Sequence, residues 1–292
     1  MTDVPSVVGV LGGGRMGAGI AHAFAVAGSS VRIVERDEKQ AAVALERVTS
    51  ALAASVDRGT VGESLEALTA RIETGTDDAL FDECELVVEA VPEDLALKVA
   101  SLARIEDRVG SETPVASNTS SLSIDELAAS LRFPQRFLGL HFFNPVPASE
   151  LVEIVAGAAT DPSVVTEAQD WVTALGKTPV TVRDSPGFAS SRLGVAIGLE
   201  AIRMLEEGVA SAEDIDAAMV LGYKFPVGPL RLTDIVGLDV RLGIAEYLHS
   251  QLGDRFAPPQ LLRDKVAAGD LGRKTGRGFF TWDDNPRQGG TA

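Results

Sequence analysis

The sequence predicts an α/β protein: a mostly parallel sheet with helices on both faces, followed by an all-helical C-terminal domain. Three observations carry this. In the first part of the chain, short runs rich in Val and Ile alternate with longer segments of helical periodicity. A glycine-rich turn, GGGRMG (12–17), joins the first apolar run to the first helical segment. Beyond DSPGF (184–188) the strand signals end and only helical patterns follow. At 292 residues the chain exceeds the roughly 100 to 200 residues usual for one domain. The Ser-Pro-Gly punctuation at Ser185 divides it into residues 1–184 and residues 185–292.

Taken in order, strands are expected at VVGVL (7–11), VRIVE (31–35), LVVEAV (86–91), PVASN (114–118), FLGLHFF (137–143), LVEIV (151–155) and TPVTV (178–182). Each is a short, bounded, largely apolar run. Helical segments lie between several of them, at 40–56, 95–108, 124–131 and 163–175. In the second domain the first helix, about 188–207, carries one apolar stripe at Leu193, Ile197, Ala201, Met204 and Leu205. A second stripe, Val195, Leu199 and Ile202, lies on another side. A helix apolar on two sides is buried on two sides, which in so small a domain points to a subunit interface and a homodimer. Gly208 suits the C-terminal cap of that helix, and SAED (211–214) opens the next with a capping-box-like pattern. FPVGP (225–229) and APP (257–259) break the remainder into further helices, and NPRQGGTA (285–292) reads as a loose tail.

Composition excludes several classes. Lys+Arg 26 against Asp+Glu 42 leave a net charge of −16, which repels a nucleic-acid backbone and an anionic membrane surface. Any anionic ligand must find a local basic pocket. The single cysteine, Cys84, rules out an internal disulfide framework and is expected as a small core residue. No run reaches about 18 apolar residues, and the first residues lack the cationic start of a secretory signal, so a cytoplasmic location is expected. No metal site is expected.

The glycine turn has a specific chemistry. Gly12, Gly14 and Gly17 form G-x-G-x-x-G directly after a strand and directly before a helix, the arrangement of a Rossmann-type dinucleotide site. The first glycine permits the tight turn, the second lets backbone approach a pyrophosphate, and the third allows close helix–strand packing. Glu35 ends the second strand 23 residues after Gly12, near the spacing of about 20 at which an acid accepts the ribose hydroxyls. A carboxylate there repels the 2′-phosphate of NADP, which favours NAD.

One of the three histidines, His141, stands at the end of the apolar run GLHFFNP (139–145), where open α/β sheets bind ligands. Twelve residues on, Glu153 interrupts the apolar LVEIV. A buried carboxylate needs a partner, and an imidazole beside it is oriented and made more basic. A third polar cluster, ASNTSSLS (116–123), closes another strand; Ser117 lies nearest the strand end, within reach of a substrate oxygen, while Ser121 and Ser123 suit turn or cap positions.

The motifs GGGRMGAGIA, VVEAVPEDLALK, SNTSSLSI, GLHFFNPVP, LVEIV, DSPGF and LGRKTGRGFF occur together and in order, spread from about residue 7 to residue 282. In this the chain resembles the L-3-hydroxyacyl-CoA dehydrogenase family, in particular its single-function 3-hydroxybutyryl-CoA dehydrogenase branch. The resemblance implies a Rossmann-type domain followed by a helical dimerisation domain. It also implies reversible hydride transfer from C3 of an L-3-hydroxyacyl-CoA to NAD. Carried over by position, His141 would take the proton from the 3-hydroxyl and Glu153 would pair with its other ring nitrogen. Ser117 would hydrogen-bond the same oxygen, and Asn144 would position substrate and nicotinamide. Met16, with the glycines of its turn, and Glu93, Lys98 and Lys274 would contact the cofactor.

The chain departs from the family pattern in places. Where the family writes P-G-F-x-x-N-R-L, with the asparagine reaching the substrate carbonyl, this sequence has PGFASSRL and places Ser191, a shorter donor. Ser149 and Glu150 replace a methionine and lysine often found before L-V-E. Arg58, between the second and third of the expected strands where the family binds CoA, is the candidate cation for the CoA phosphates; a solvated helix-end arginine is the alternative. Two other functions fit parts of the sequence: a dehydrogenase of a free 3-hydroxy acid, and an NAD-binding protein without catalysis, for which Ser191 is the only support.

Overall fold

The computed structural model describes residues 4–282, so the tail at 285–292 lies outside the described residues. The chain divides into two compact units, the first ending at Phe188 and the second beginning at Ala189.

The first unit is an eight-stranded sheet in the order β3-β2-β1-β4-β5-β6-β7-β8. Its strands are β1 (Val7–Leu11), β2 (Ser30–Val34), β3 (Ile72–Gly75), β4 (Leu86–Glu89), β5 (Val115–Ser117), β6 (Phe137–Phe142), β7 (Leu151–Ala156) and β8 (Thr178–Arg183). Its helices are α1 (Arg15–Val26), α2 (Glu38–Asp57), α3 (Leu65–Thr69), α4 (Leu95–Glu106), α5 (Ile124–Ala128) and α6 (Pro162–Ala174). All pairings are parallel except β6 with β7. The seven expected strands are all present. β3 was not expected, because IETG offers one strongly apolar residue and forms an edge that little covers.

Alternation along the strands feeds two cores, one on each face of the sheet. Val8, Val10, Ile33, Leu138, Leu140 and Ile154 pack toward α1, α2 and α6. Leu11, Val34, Val87, Val115, Phe137 and Val155 pack toward α4 and α5, together with Cys84. Burial pushes the Cys84 thiol up to about 12, which keeps it protonated and inert, as a small core residue should be. Connections leave β1 toward β2 on one side and β4 on the other, and this reversal opens a crevice at the carboxyl ends of β1 and β4.

The second unit is built from α7 (Ser190–Glu206), α8 (Ala212–Ala217), α9 (Pro229–Val236), α10 (Leu238–Leu252) and α11 (Gln260–Ala267). Gly208 follows α7 at φ +70°, and the Ser211 side chain accepts from Asp214 N at the start of α8, so both expected caps form. The two stripes of α7 separate only in part, since Ala201 of the first is buried in the same core as the second. Val195, Leu199 and Ile202 are fully buried in the unit's core, whereas Leu193 remains 63% exposed. No described helix is long and apolar enough to cross a membrane.

Candidate active site

Each glycine of the turn is tied to a distinct constraint. Gly12 holds φ +97°, and its N–H donates to Val34 O at 2.9 Å; a Cβ there would stand 3.0 Å from Ala90 O at the end of β4. A Cβ on Gly17 would collide with the carbonyl oxygen of Gly12, so this glycine sets the approach of α1 to β1. A Cβ on Gly14 would meet nothing within 4 Å. Gly14 is also the N-cap of α1, and no side chain caps the first peptide N–H groups of the helix. A cradle of this shape fits a pyrophosphate. Met16 lies half-buried in the same turn, against the core. Glu35, just past β2, accepts from Gly13 N at 2.7 Å and from Arg36 N at 3.1 Å, which fixes its carboxylate beside the glycines.

A buried ionic cluster stands next along the crevice. Lys98 on α4 is 1% exposed and donates to both oxygens of Glu89 at 2.8 and 3.0 Å and to Val91 O at 3.2 Å. Glu93 lies 3.4 Å from the same ammonium. Burial opposes charge on Glu93, but Thr119, Lys98, Ser121 and Ser120 together hold its carboxyl below the usual range. Its Oε1 accepts from Thr119 Oγ1 at 2.6 Å, Ser120 N at 2.9 Å and Ser121 N at 3.0 Å, so Glu93 shapes the SNTSS turn. Glu89, the acid inside LVVEAV, was not singled out from the sequence, although a charge inside an apolar strand was the available signal.

The placement of Ser117 corrects the expectation for it. Ser117 is fully buried and its hydroxyl donates to Glu89 Oε2 at 2.5 Å, so the hydroxyl is committed within the fold rather than held toward a ligand. The partly exposed hydroxyls of the turn are Ser120 and Ser121. Ser123 caps α5, accepting from Glu126 N at 3.1 Å.

His141 and Glu153 face each other across the one antiparallel step of the sheet, as direct register partners of β6 and β7. Opposed residues of such a pair bring their Cβ atoms to about 5 Å, and the Nδ1 of His141 lies 2.8 Å from Glu153 Oε2. Both are buried, at 6% and 1% exposure. A carboxylate accepting from Nδ1–H leaves the lone pair on Nε2, the arrangement a proton acceptor requires. Phe143 and Phe188 tilt against the imidazole at centroid distances of 4.4 and 5.8 Å. Phe188 adopts φ +50°, an uncommon conformation for a non-glycine residue. Asn118 Oδ1 accepts from Phe142 N at 2.9 Å, tying the SNTSS turn to the end of β6, and Asn144 stands exposed just beyond.

Beside that same β6–β7 connection lies a cavity of about 710 Å³, lined by His22, Ser55, Arg58, Pro145, Pro147 and Lys177 among others. It is the local basic pocket an acidic protein needs for an anionic ligand. Arg58 is exposed at the end of α2 and donates to Ser55 Oγ at 3.4 Å. Lys177 is bonded to Val146 O at 2.7 Å and Ser149 O at 2.5 Å, which holds the loop carrying Ser149 and Glu150. In the second unit, Ser191 occupies the first turn of α7, and Lys274 donates to both oxygens of Asp239 at 2.6 and 2.7 Å.

Comparison with known proteins agrees with this geometry. Residues 7–185 match the family model described as 3-hydroxyacyl-CoA dehydrogenase, NAD binding domain, and residues 187–282 match that family's C-terminal domain. A 3-hydroxybutyryl-CoA dehydrogenase from Mycobacterium tuberculosis is 42% identical over 287 residues, 97% of this chain and 100% of the relative. The mitochondrial hydroxyacyl-coenzyme A dehydrogenase of Rattus norvegicus is 39% identical, covering 94% of this chain and 90% of its own. Among solved structures, (S)-3-hydroxybutyryl-CoA dehydrogenase PaaH1 from Ralstonia eutropha superposes with a TM-score of 0.92 at 40% identity, covering 96% of this chain and all of the other. With its glycine cradle, its mostly parallel sheet and its helical second unit, the chain belongs to the 3-hydroxyacyl-CoA dehydrogenase family.

Proposed function

We propose that the protein is an NAD-dependent dehydrogenase of L-3-hydroxyacyl-CoA thioesters, of short chain such as 3-hydroxybutyryl-CoA, working reversibly. The observation that carries this is the buried His141–Glu153 pair at 2.8 Å, at the carboxyl end of β6 in the unit that holds the glycine cradle. NAD, when bound, accepts the hydride from C3 of the substrate. Nε2 of His141 takes the proton of the 3-hydroxyl, and Glu153 keeps the ring in the tautomer that can do so and stabilises the imidazolium that forms. With Ser117 committed to Glu89, the hydrogen bond to the substrate oxygen falls to Ser120, and Asn144 positions the reacting atoms. Glu35 receives the ribose hydroxyls, and Glu93 and Met16 complete the cofactor site, with Lys98, buried and bonded to Glu89 and Val91, acting on it through Glu93. Arg58 and its cavity supply positive charge for the CoA phosphates, which favours a thioester over a free 3-hydroxy acid. Two copies associate through the exposed apolar surface of the second unit, as a homodimer.

The experiment is NADH oxidation with acetoacetyl-CoA, comparing wild type with His141→Ala. Loss of the base is expected to lower kcat by on the order of 10²- to 10⁴-fold. Equal rates would remove His141 from the chemistry, and wild-type silence with this and longer thioesters would remove the proposed substrate class.

A further inference from the structure

In so acidic a chain a cation without a carboxylate partner is informative, and one such cation lies against the glycine turn. Several arginines of the first unit pair with carboxylates, as Arg71 does with Glu63 and Arg104 with Asp78. Arg47, exposed on α2, forms no ion pair with any of the described residues. Its Nη1 donates instead to the carbonyl oxygen of Gly13 at 3.3 Å. Gly13 is the middle glycine of GGG (12–14), the one that the G-x-G-x-x-G pattern leaves unspecified.

Gly13 is where α2 meets the turn. A Cβ on it would collide with the Cβ of Ala44 and stand 3.1 Å from Ile33 Cγ2, so α2 packs directly on its backbone. Arg47 follows Ala44 by three residues, on the same face of the helix. The two peptide units of Gly13 are each held by a charged side chain: its N–H donates to Glu35 Oε1 at 2.7 Å, and its carbonyl accepts from Arg47. The peptide that joins Gly13 to Gly14 is trans, so its C=O and N–H point in opposite directions. A bond that turns the oxygen toward α2 therefore turns the Gly14 N–H away from α2. That N–H belongs to the N-cap of α1 and donates to none of the described residues. A glycine on each side lets the plane of this peptide rotate easily, and the bond from Arg47 selects one orientation.

We propose that Arg47 is a positioning residue of the cofactor site, holding the Gly13–Gly14 peptide so that its N–H meets the pyrophosphate of NAD. This rests on the reading of the glycine turn as the pyrophosphate cradle, which the match of residues 7–185 to an NAD binding domain supports. A diphosphate oxygen accepts from the Gly14 N–H in a charge-assisted hydrogen bond, beside the other N–H groups at the start of α1. Arg47 acts through the peptide and makes no contact with the phosphates.

The test is a fluorescence titration of NADH with wild type, Arg47→Met and Arg47→Lys, at low and at high salt. Arg47 is exposed, so its replacement leaves the core intact. Arg47→Met removes the donor, and its NADH Kd is expected to rise about fivefold, the size of one hydrogen bond. The rise should be the same at both salt concentrations, and Arg47→Lys, which can still donate to a carbonyl, should recover part of it. A guanidinium acting as a bare charge on the phosphates would lose its effect at high salt, and that outcome overturns the proposal. Competition locates the effect: ADP should displace NADH less well from Arg47→Met than from wild type, and adenosine equally well from both. A purely structural arginine would weaken ADP and adenosine alike, which also overturns the proposal. Gly14→Ala separates it from the reading beneath it. Normal NADH binding in that variant overturns the cradle itself, whereas weakened binding there with unaltered binding in Arg47→Met overturns the role of Arg47 alone.

Discussion

A histidine is defined by what its two ring nitrogens meet, and two histidines of this chain meet opposite surroundings. His141 turns Nδ1 to a buried carboxylate. His22 turns Nε2 to the Ser55 hydroxyl at 2.9 Å and has its Nδ1 buried without a partner. Burial first, then the charges of Lys177 and Arg58, push the pKa of His22 down to about 4. The folded value lies below the unfolded value of 6.5, so between pH 6.5 and 4 the unfolded chain binds the extra proton. The stability tied to a neutral His22 is therefore fully present above the window and lost as pH falls through it. In His22→Gln the unfolding free energy, from urea titrations at several pH values, is expected to depend less on pH across that window than in wild type; parallel slopes would sink the assignment. The sequence makes His141 legible, because an acid twelve residues away in another apolar run has no other use. It leaves His22 silent, inside an apolar helical stretch with a partner 33 residues away on another helix. Ser117 misled for the same reason: its orientation is decided by Glu89, 28 residues distant.

At the scale of the element, the junction of β1 and α1 separates packing from binding. Gly17 is pressed against the Gly12 carbonyl, whereas Gly14 has φ −62° and open space where a side chain would project. Gly17→Ala is expected to force strand and helix apart, with a loss of about 1–3 kcal/mol in stability as for other overpacked contacts. Gly14→Ala is expected to keep the wild-type unfolding midpoint while NAD affinity drops on the order of tenfold, because the methyl group stands where the pyrophosphate approaches. Calorimetry for the fold and titration for NAD read the two effects apart, and a Gly14→Ala protein that binds NAD normally would move the phosphate site elsewhere. The pattern was readable at this junction because each glycine answers a local demand of the backbone. β3 was not, since an edge strand of four residues needs only one neighbour, and that neighbour, β2, lies some forty residues earlier.

At the scale of the whole molecule, the question is what covers the apolar surface of the second unit. The two stripes of α7 were read from the sequence as two buried faces, but the unit's own core takes Val195, Leu199 and Ile202 and leaves Leu193 63% exposed. Leu221 and Tyr223, after α8, are exposed at 70% and 75%, and Val209 at 60%. Isolated exposed apolar residues are ordinary, and several large ones on one small helical unit are what the proposed association would cover. The net charge of −16 opposes self-association at long range, so the contact has to be apolar and close. We expect size-exclusion light scattering to give twice the 30.6 kDa chain mass for wild type, with little change at high salt. Leu221→Asp combined with Tyr223→Asp places two charges where desolvation would be required, at a cost of several kcal/mol. That variant should run at 30.6 kDa while keeping its helical circular-dichroism signal. A wild-type monomer would leave the outer stripe of α7 without an occupant, and a dimeric double variant would place the interface on another part of the surface.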